Sequence, residues 1–334
     1  MADYDHDEEL AFRLWEQQLT SPPAQVNRAP AASVAAASTL VRQRYLRAEE
    51  FVIGLIGVAL LRLSAADGLS AADRTRLAGP LVHRLREFIW QLDGVPFSDD
   101  GWEVLDSRAG YGRWAASYDL ASAALVAVEE PPVLALLEDL PAGPVLDAAC
   151  GTGRYAAHLA YQGREVVGVD IAAEMLAIAQ ARVPTGRFVV GDLCALPVAT
   201  ASMAGAVSGL ALAHVSDLEV AARELARVVR AGGRVILSVP HPLVVALLDF
   251  KAAIPPGQAN ERRAYIRQHP HAVSDYIAAF VSAGWELRHC VEPQISPTAA
   301  AALRPGFADI MQTALVGLPA VLVLDLERCH TPAP

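Results

Sequence analysis

Two textures divide the chain. From Leu40 to about Leu92 apolar residues recur at three- and four-residue steps, the period of amphipathic helices: Phe51, Leu55, Val58 and Ala59 in one stretch, Leu77, Leu81, Leu85, Phe88 and Ile89 in the next. Between them ADGLSAADR offers Gly68 as a helix stop and Ser70 as the N-cap of the second helix, so a helical hairpin is predicted. After Pro131 the pattern changes to short β-branched runs that alternate with alanine-rich helical stretches, as expected of βαβ units and a parallel sheet. Strands are predicted near 144–148, 165–170, 186–190, 204–208, 233–239, 286–291 and 319–326, with helices at 152–162, 172–182, 216–230 and 274–283. The rhythm breaks over 241–274, which holds two Pro-rich turns. An insertion there, beside the carboxyl edge of a sheet, reads as a substrate lid. Residues 1–39 read as an acidic tail and a Pro/Ala linker.

Composition bounds what this pattern can be. A length of 334 residues exceeds what one core usually fills, so a large α/β domain over 108–330 with a helical accessory unit over 40–95 is expected. With 53% apolar and 19% charged residues the chain can bury a substantial core. The longest apolar run, Phe51 to Leu61, stops at Arg62, far short of the roughly 20 residues of a membrane span. The first residues, MADYDHDEEL, are acidic where a secretory leader is basic and then apolar, so a cytoplasmic protein is expected. Four cysteines without a C-x-x-C pair predict reduced thiols and no metal site. A net charge of −10 disfavours nucleic acid as a partner.

The chemistry gathers at the predicted strand ends. In PVLDAACGTGRYAAHLA (144–160) an apolar strand ends in Asp147 and a Gly151-x-Gly153 turn leads into a helix. Glycines there let the backbone approach a ligand, and the helix N-terminus offers free N–H groups to an anion. A pyrophosphate-binding turn has no need of the acid four residues before Gly151, which suits a ligand bearing an ammonium group instead. Asp170 ends the next strand, EVVGVD, where its carboxylate can accept from two vicinal ribose hydroxyls or cap the following helix. Asp192, in RFVVGDLCALP, lies just past the third strand, placed for an exocyclic amine or for a turn.

These three acids at successive strand ends resemble the class I S-adenosylmethionine-dependent methyltransferases, in particular the small-molecule group that includes the ubiquinone and menaquinone biosynthesis enzymes. The likeness runs from about Tyr111 to Glu292 and includes SGLALAHV (208–215), ELARVVRAGGRVILSVPHP (224–242) and AGWEL (283–287). It implies a Rossmann-like seven-stranded sheet with helices on both faces, and S-adenosylmethionine as cofactor. It also implies that Asp147 and the Gly151–Gly153 turn lie against the methionine moiety and that Asp170 holds the ribose. Ile171 would pack on the adenine and Asp192 with the Leu193 backbone read its edge, with Ala149 and Met175 also among the residues expected to bind the cofactor. Two departures stand out. Ala149 occupies a position that is glycine in many members, tolerable at negative φ, and Ala204 replaces a common aspartate at the start of strand four.

The acceptor side is less legible. RAGYGRWAASYD (108–119) resembles the segment that folds over the cofactor, with Tyr111 and Tyr118 as candidates to touch the methionine end or the acceptor, or to serve as core aromatics. His214 follows strand four, where an imidazole is suited to general-base work or to positioning. His241, in the turn after strand five, is a second catalytic candidate, whereas His269 and His271 read as solvated loop residues. The absence of an N-P-P-[YF]-like turn after strand four disfavours amino-methylation of adenine or glutamine, leaving a small-molecule acceptor of secondary metabolism. Two alternatives keep the fold: an enzyme repurposed for cyclisation, and a non-catalytic partner subunit. FVIGLIGVALLRL carries apolar residues around more than one face, so the helical unit is expected to cap the substrate entrance and to build a homodimer.

Overall fold

The computed structural model describes residues 48–92, 103–121, 123–248, 252–254, 264–303 and 305–330. These belong to one unit, Tyr45–Pro334; the tail and linker expected over 1–39 lie outside the described residues. Helices α1 (Ala48–Ala65) and α2 (Ala71–Leu92) form the predicted hairpin. Gly68 takes φ +81° between them, and the Ser70 hydroxyl accepts the Asp73 N–H at 3.1 Å.

Strand β1 (Glu103–Leu105), helix α3 (Ser107–Trp114), the short α4 (Tyr118–Ala121) and α5 (Ala123–Leu137) lead to the first strand of the main sheet. Then come β2 (Val145–Ala148), α6 (Arg154–Tyr161), β3 (Val166–Asp170), α7 (Ala173–Arg182), β4 (Arg187–Val190), β5 (Met203–Gly209), α8 (Leu218–Val228) and β6 (Val229–Pro240). The insertion supplies α9 (Pro242–Leu248), β7 (Ala252–Ile254) and β8 (Ala264–Ile266). It is followed by α10 (Val273–Ser282), β9 (Trp285–Val291), α11 (Pro297–Leu303), α12 (Ala308–Leu315) and β10 (Val321–Arg328).

The seven-stranded sheet runs β4-β3-β2-β5-β6-β10-β9, parallel except for β10, which is antiparallel to both neighbours. Its side chains are shared between two cores. Val145, Val207, Ile236, Val321 and Val323 point to one face, where α1, α5, α6 and α12 cover them. Leu146, Ala206, Val235, Leu237, Leu322 and Leu324 point to the other, under α8 and α10. A sheet buried on both sides reads as continuous apolar runs, which is why the strands were legible. The order reverses between β2 and β5, and loops leaving the carboxyl ends diverge there to leave a crevice.

The helical unit is part of this architecture. Val52, Leu55, Ile56 and Ala59 form the i, i+3, i+4, i+7 stripe of α1 and are buried in the same core as Ile310, Ala314 and Leu315 of α12. Arg62 donates to the Ala314 and Val316 carbonyls, at 3.0 and 2.6 Å, and so satisfies the C-terminal end of α12. The surface that the apolar hairpin required is thus supplied by its own chain.

The described part of the insertion forms strands that its turns do not suggest. β8 pairs with β1, Glu103 opposite Ala264, and with β7, making a three-stranded sheet. Among the described residues no helix is long and apolar enough to cross a membrane.

Candidate functional site

A cavity opens at the carboxyl ends of β2, β3, β4 and β5. Its wall includes Ala149 and Gly151 after β2, Asp170 and Ile171 at the end of β3, Met175 on α7, Asp192 and Leu193 after β4, and His214 after β5. Tyr111 and Tyr118 reach the same wall from the segment that precedes the sheet. Ten of the residues that the sequence singled out therefore meet in one place. Asp147, Gly153 and His241 do not line it.

Each exception has a local reason. Asp147 is 1% exposed inside the sheet, and its Oδ2 accepts the Ala156 N–H at 2.8 Å, so the carboxylate binds the start of α6 instead of facing the cavity. Burial pushes its carboxyl up to about 7, opposed by that N–H and by the Arg154 charge. Gly153 adopts φ +79°, and a Cβ there would stand 2.9 Å from the Ala179 Cβ. Its glycine lets α6 pack against α7. His241 is buried with both ring nitrogens engaged: the Leu243 N–H donates to Nδ1 at 3.1 Å, so Nε2 donates to Glu292 Oε1 at 2.9 Å. The catalytic candidate after strand five thus sits in a turn, off the cavity wall.

Asp170 serves the loop and the cavity together. Oδ2 accepts the Gly151 N–H at 2.8 Å and Oδ1 the Ala172 N–H at 2.9 Å, which locks the Gly-x-Gly turn onto the next strand. Burial raises its pKa, opposed by the Ala172, Gly151 and Ile171 N–H groups. Asp192 accepts the Cys194 N–H at 2.8 Å through Oδ1, so the turn reading and the wall position coexist. Ala149 takes φ +60°, so the condition of negative φ under which alanine is tolerated there is not met. A β-carbon in the left-handed region is strained, and the strain sits at the cavity edge. Leu210, on the wall after β5, has φ +57°.

His214 makes two contacts. Its Nδ1 lies 2.7 Å from the Arg267 carbonyl and its Nε2 lies 2.9 Å from the Tyr111 hydroxyl. Burial lowers its pKa, and burial likewise raises that of Tyr111 well above 10 and that of Tyr118 to about 12. All three are neutral at ordinary pH. His269 and His271 are half-buried, correcting the expectation of solvated loop residues, and His271 Nε2 donates to the Val215 carbonyl at 2.7 Å. Sequence reasoning missed Ser107, Gly191, Cys194, Gly209, Leu210, Ala211, Val215 and Ser216 on the wall. Most of them adjoin motifs it had singled out: Cys194 follows Leu193, and Gly209 to Val215 lie within SGLALAHV. Among the described residues no cluster of potential metal ligands occurs.

A doubly covered sheet whose order reverses at β2 and β5, with Asp170 and Asp192 at adjacent strand ends on one cavity, defines a Rossmann-like α/β domain. Residues 146–237 match the methyltransferase domain family. Over 130 residues the chain is 35% identical to malonyl-[acyl-carrier protein] O-methyltransferase of Serratia marcescens, covering 39% of this chain and 51% of that protein. Over 122 residues it is 41% identical to 2-phytyl-1,4-naphtoquinone methyltransferase of Thermosynechococcus vestitus, covering 34% and 54% respectively. The chain thus spans about half the length of these curated relatives. A solved complex of the Haloferax volcanii Trm112 methyltransferase activator with a methyltransferase contains a chain of the same fold. Its TM-score is 0.51 at 19% identity, covering 68% of this chain and 99% of that one.

Proposed function

We propose that this chain binds S-adenosylmethionine in the strand-end cavity and transfers its methyl group to a small-molecule acceptor. The observation that carries the reading is the pair Asp170 and Asp192 on one wall, at the ends of adjacent strands, with Ile171 and Leu193 beside them. The Asp170 oxygens accept the Gly151 and Ala172 N–H groups and keep acceptor capacity on the cavity side, which suits two vicinal ribose hydroxyls. Ile171, Met175 and Leu193 offer apolar surface to a purine, and Asp192 offers an acceptor to its exocyclic amine. Nothing stands within 4 Å of where a Gly151 Cβ would lie, so the loop leaves room for the methionine end. The residues present fit the cofactor.

When bound, the sulfonium supplies a methyl group that is already activated. The chain then has to orient donor and acceptor and to exclude water, and orientation alone contributes about 7–11 kcal/mol in favourable systems. Leu210, Ala211 and Val215 make the acceptor side apolar, which supports an apolar or aromatic acceptor. The likeness to malonyl-[acyl-carrier protein] O-methyltransferase supports a second reading, an acyl group presented by a carrier protein. Labelled methyl transfer to free and to carrier-bound acyl chains separates the two. The homodimer expected from the helical unit rests on Leu61, Leu77 and Ile89, which stay exposed on the hairpin. Light scattering that returns the 35.4 kDa of one chain would remove it.

Calorimetry with S-adenosylmethionine and its demethylated product tests the core of the proposal. Binding of both is expected, and no heat from either at millimolar concentration would sink it. Asp170→Ala should weaken binding by about 1.5–3 kcal/mol, the scale of hydrogen bonds to a charged acceptor. An unchanged affinity in the folded variant would put the ribose elsewhere.

A further inference from the structure

One wall of the cavity comes from a body that is separate from the main sheet. Helix α3 and strands β1, β7 and β8 share a small core of Trp114, Ala252, Ile254, Ala264 and Ile266. A Cβ on Gly110 would lie 2.4 Å from Ile266 Cγ1, so only glycine lets α3 settle on β8. This body meets the main sheet along 213–215, just past β5, through four polar contacts. Tyr111 and Arg267 both bind His214; the His269 N–H donates to the Ala213 carbonyl at 2.8 Å, and His271 donates to the Val215 carbonyl at 2.7 Å.

The chemistry of these partners fixes the state of His214. The Arg267 carbonyl can only accept, so Nδ1 carries the proton. A neutral imidazole has one N–H, so Nε2 holds the lone pair and the Tyr111 hydroxyl donates to it. Burial disfavours the imidazolium, so the neutral ring with its proton on Nδ1 is the form in place. The lone pair that a general base would use is already filled.

We propose that His214 is a positioning residue that holds the Tyr111 hydroxyl in the cavity wall and pins the α3–β8 body to the sheet, and that it is not the base for the acceptor. This rests on the reading of the cavity as the cofactor and acceptor site. Tyr111 and Arg267 are 156 positions apart in sequence and meet through this one ring.

The full chain with His214→Gln, His214→Ala or Tyr111→Phe tests the assignment. Glutamine keeps one donor and one acceptor but cannot take up a proton. Hydrogen exchange is read in peptides covering 103–118 and 264–271, S-adenosylhomocysteine affinity by calorimetry, and turnover with any acceptor that wild type methylates. His214→Ala should speed exchange in both peptides by about tenfold, the scale of losing its two hydrogen bonds. His214→Gln should stay within about threefold of wild type in exchange and affinity, a change well below that scale, and should restore most of the turnover that His214→Ala loses. Tyr111→Phe should loosen 103–118 more than 264–271. Unchanged exchange in His214→Ala overturns the pinning role. Turnover lost equally in the Gln and Ala variants, with exchange and affinity intact in both, makes His214 the base. A wild type that binds no S-adenosylhomocysteine defeats the cofactor reading, while the exchange data still decide whether His214 pins the body.

Discussion

Asp147 should make the protein less stable as pH rises from acid to neutral, and Asp147→Asn should abolish that loss. The carboxyl is buried in the sheet, and burial, the largest influence, raises its pKa from 3.8 to about 7. The Ala156 N–H and the Arg154 charge pull it down, whereas Asp170 and Glu129 push the same way as burial. In the unfolded chain the group titrates near 3.8, so the native state holds the proton more tightly. Its contribution is therefore fully present below about pH 4 and lost as pH climbs through about 7. At about 1.4 kcal/mol per unit, the interval amounts to about 4 kcal/mol. Asparagine keeps an oxygen for the Ala156 N–H and cannot ionise. Its new amide N–H groups enter a dry site at a cost of about 1–3 kcal/mol, but that cost is independent of pH. The diagnostic is thus the slope and not the offset. Urea unfolding of both proteins from pH 4 to 8 should show the variant gaining about 3–4 kcal/mol relative to wild type across the window. Asp170, present in both proteins, largely cancels. A difference between the two that stays flat with pH would refute the claim that burial of Asp147 opposes its ionisation.

Three further outcomes follow from backbone and packing. Ala149→Gly relieves left-handed strain worth about 1–2 kcal/mol and adds unfolded-state freedom worth about 0.5–1 kcal/mol. Thermal melts should therefore show a net gain of up to about 1 kcal/mol, and a clear loss would contradict the strain. Gly153→Ala combines φ +79° with a Cβ 2.9 Å from the Ala179 Cβ and 3.1 Å from its Cα; denaturant unfolding should register a loss of about 2–4 kcal/mol. Arg234 donates to both oxygens of the buried Asp325, at 3.0 and 2.7 Å, and His289 Nδ1 stands 2.8 Å from Oδ2, so Arg234→Met should cost up to about 3–5 kcal/mol, reduced by the partner that remains. The double variant Arg234→Met, Asp325→Leu should recover part of that, and a double loss equal to the sum of the two single losses would show that the pair is uncoupled.

The sequence by itself determined the main sheet and most of the cavity. Strands such as 145–148 and 166–170 fell within two residues of their predicted limits, because a doubly covered parallel strand is a continuous apolar run whatever surrounds it. The acids Asp170 and Asp192 reach the cavity because strand ends are where a parallel sheet delivers side chains to its crevice. Only the tertiary structure decided the rest. Asp147 and Asp170 both end apolar strands, yet the N-terminus of α6 draws the first away from the cavity and leaves the second on its wall. His241 and His214 both follow strands, but Glu292, 51 residues on, engages one while Tyr111, 103 residues back, reaches the other from across the cavity. The insertion pairs β8 with β1, more than a hundred residues earlier. Local periodicity reports the face that a residue buries. Which partner meets it there depends on hydrogen bonds and packing between segments far apart in the chain, and those form only when the fold closes.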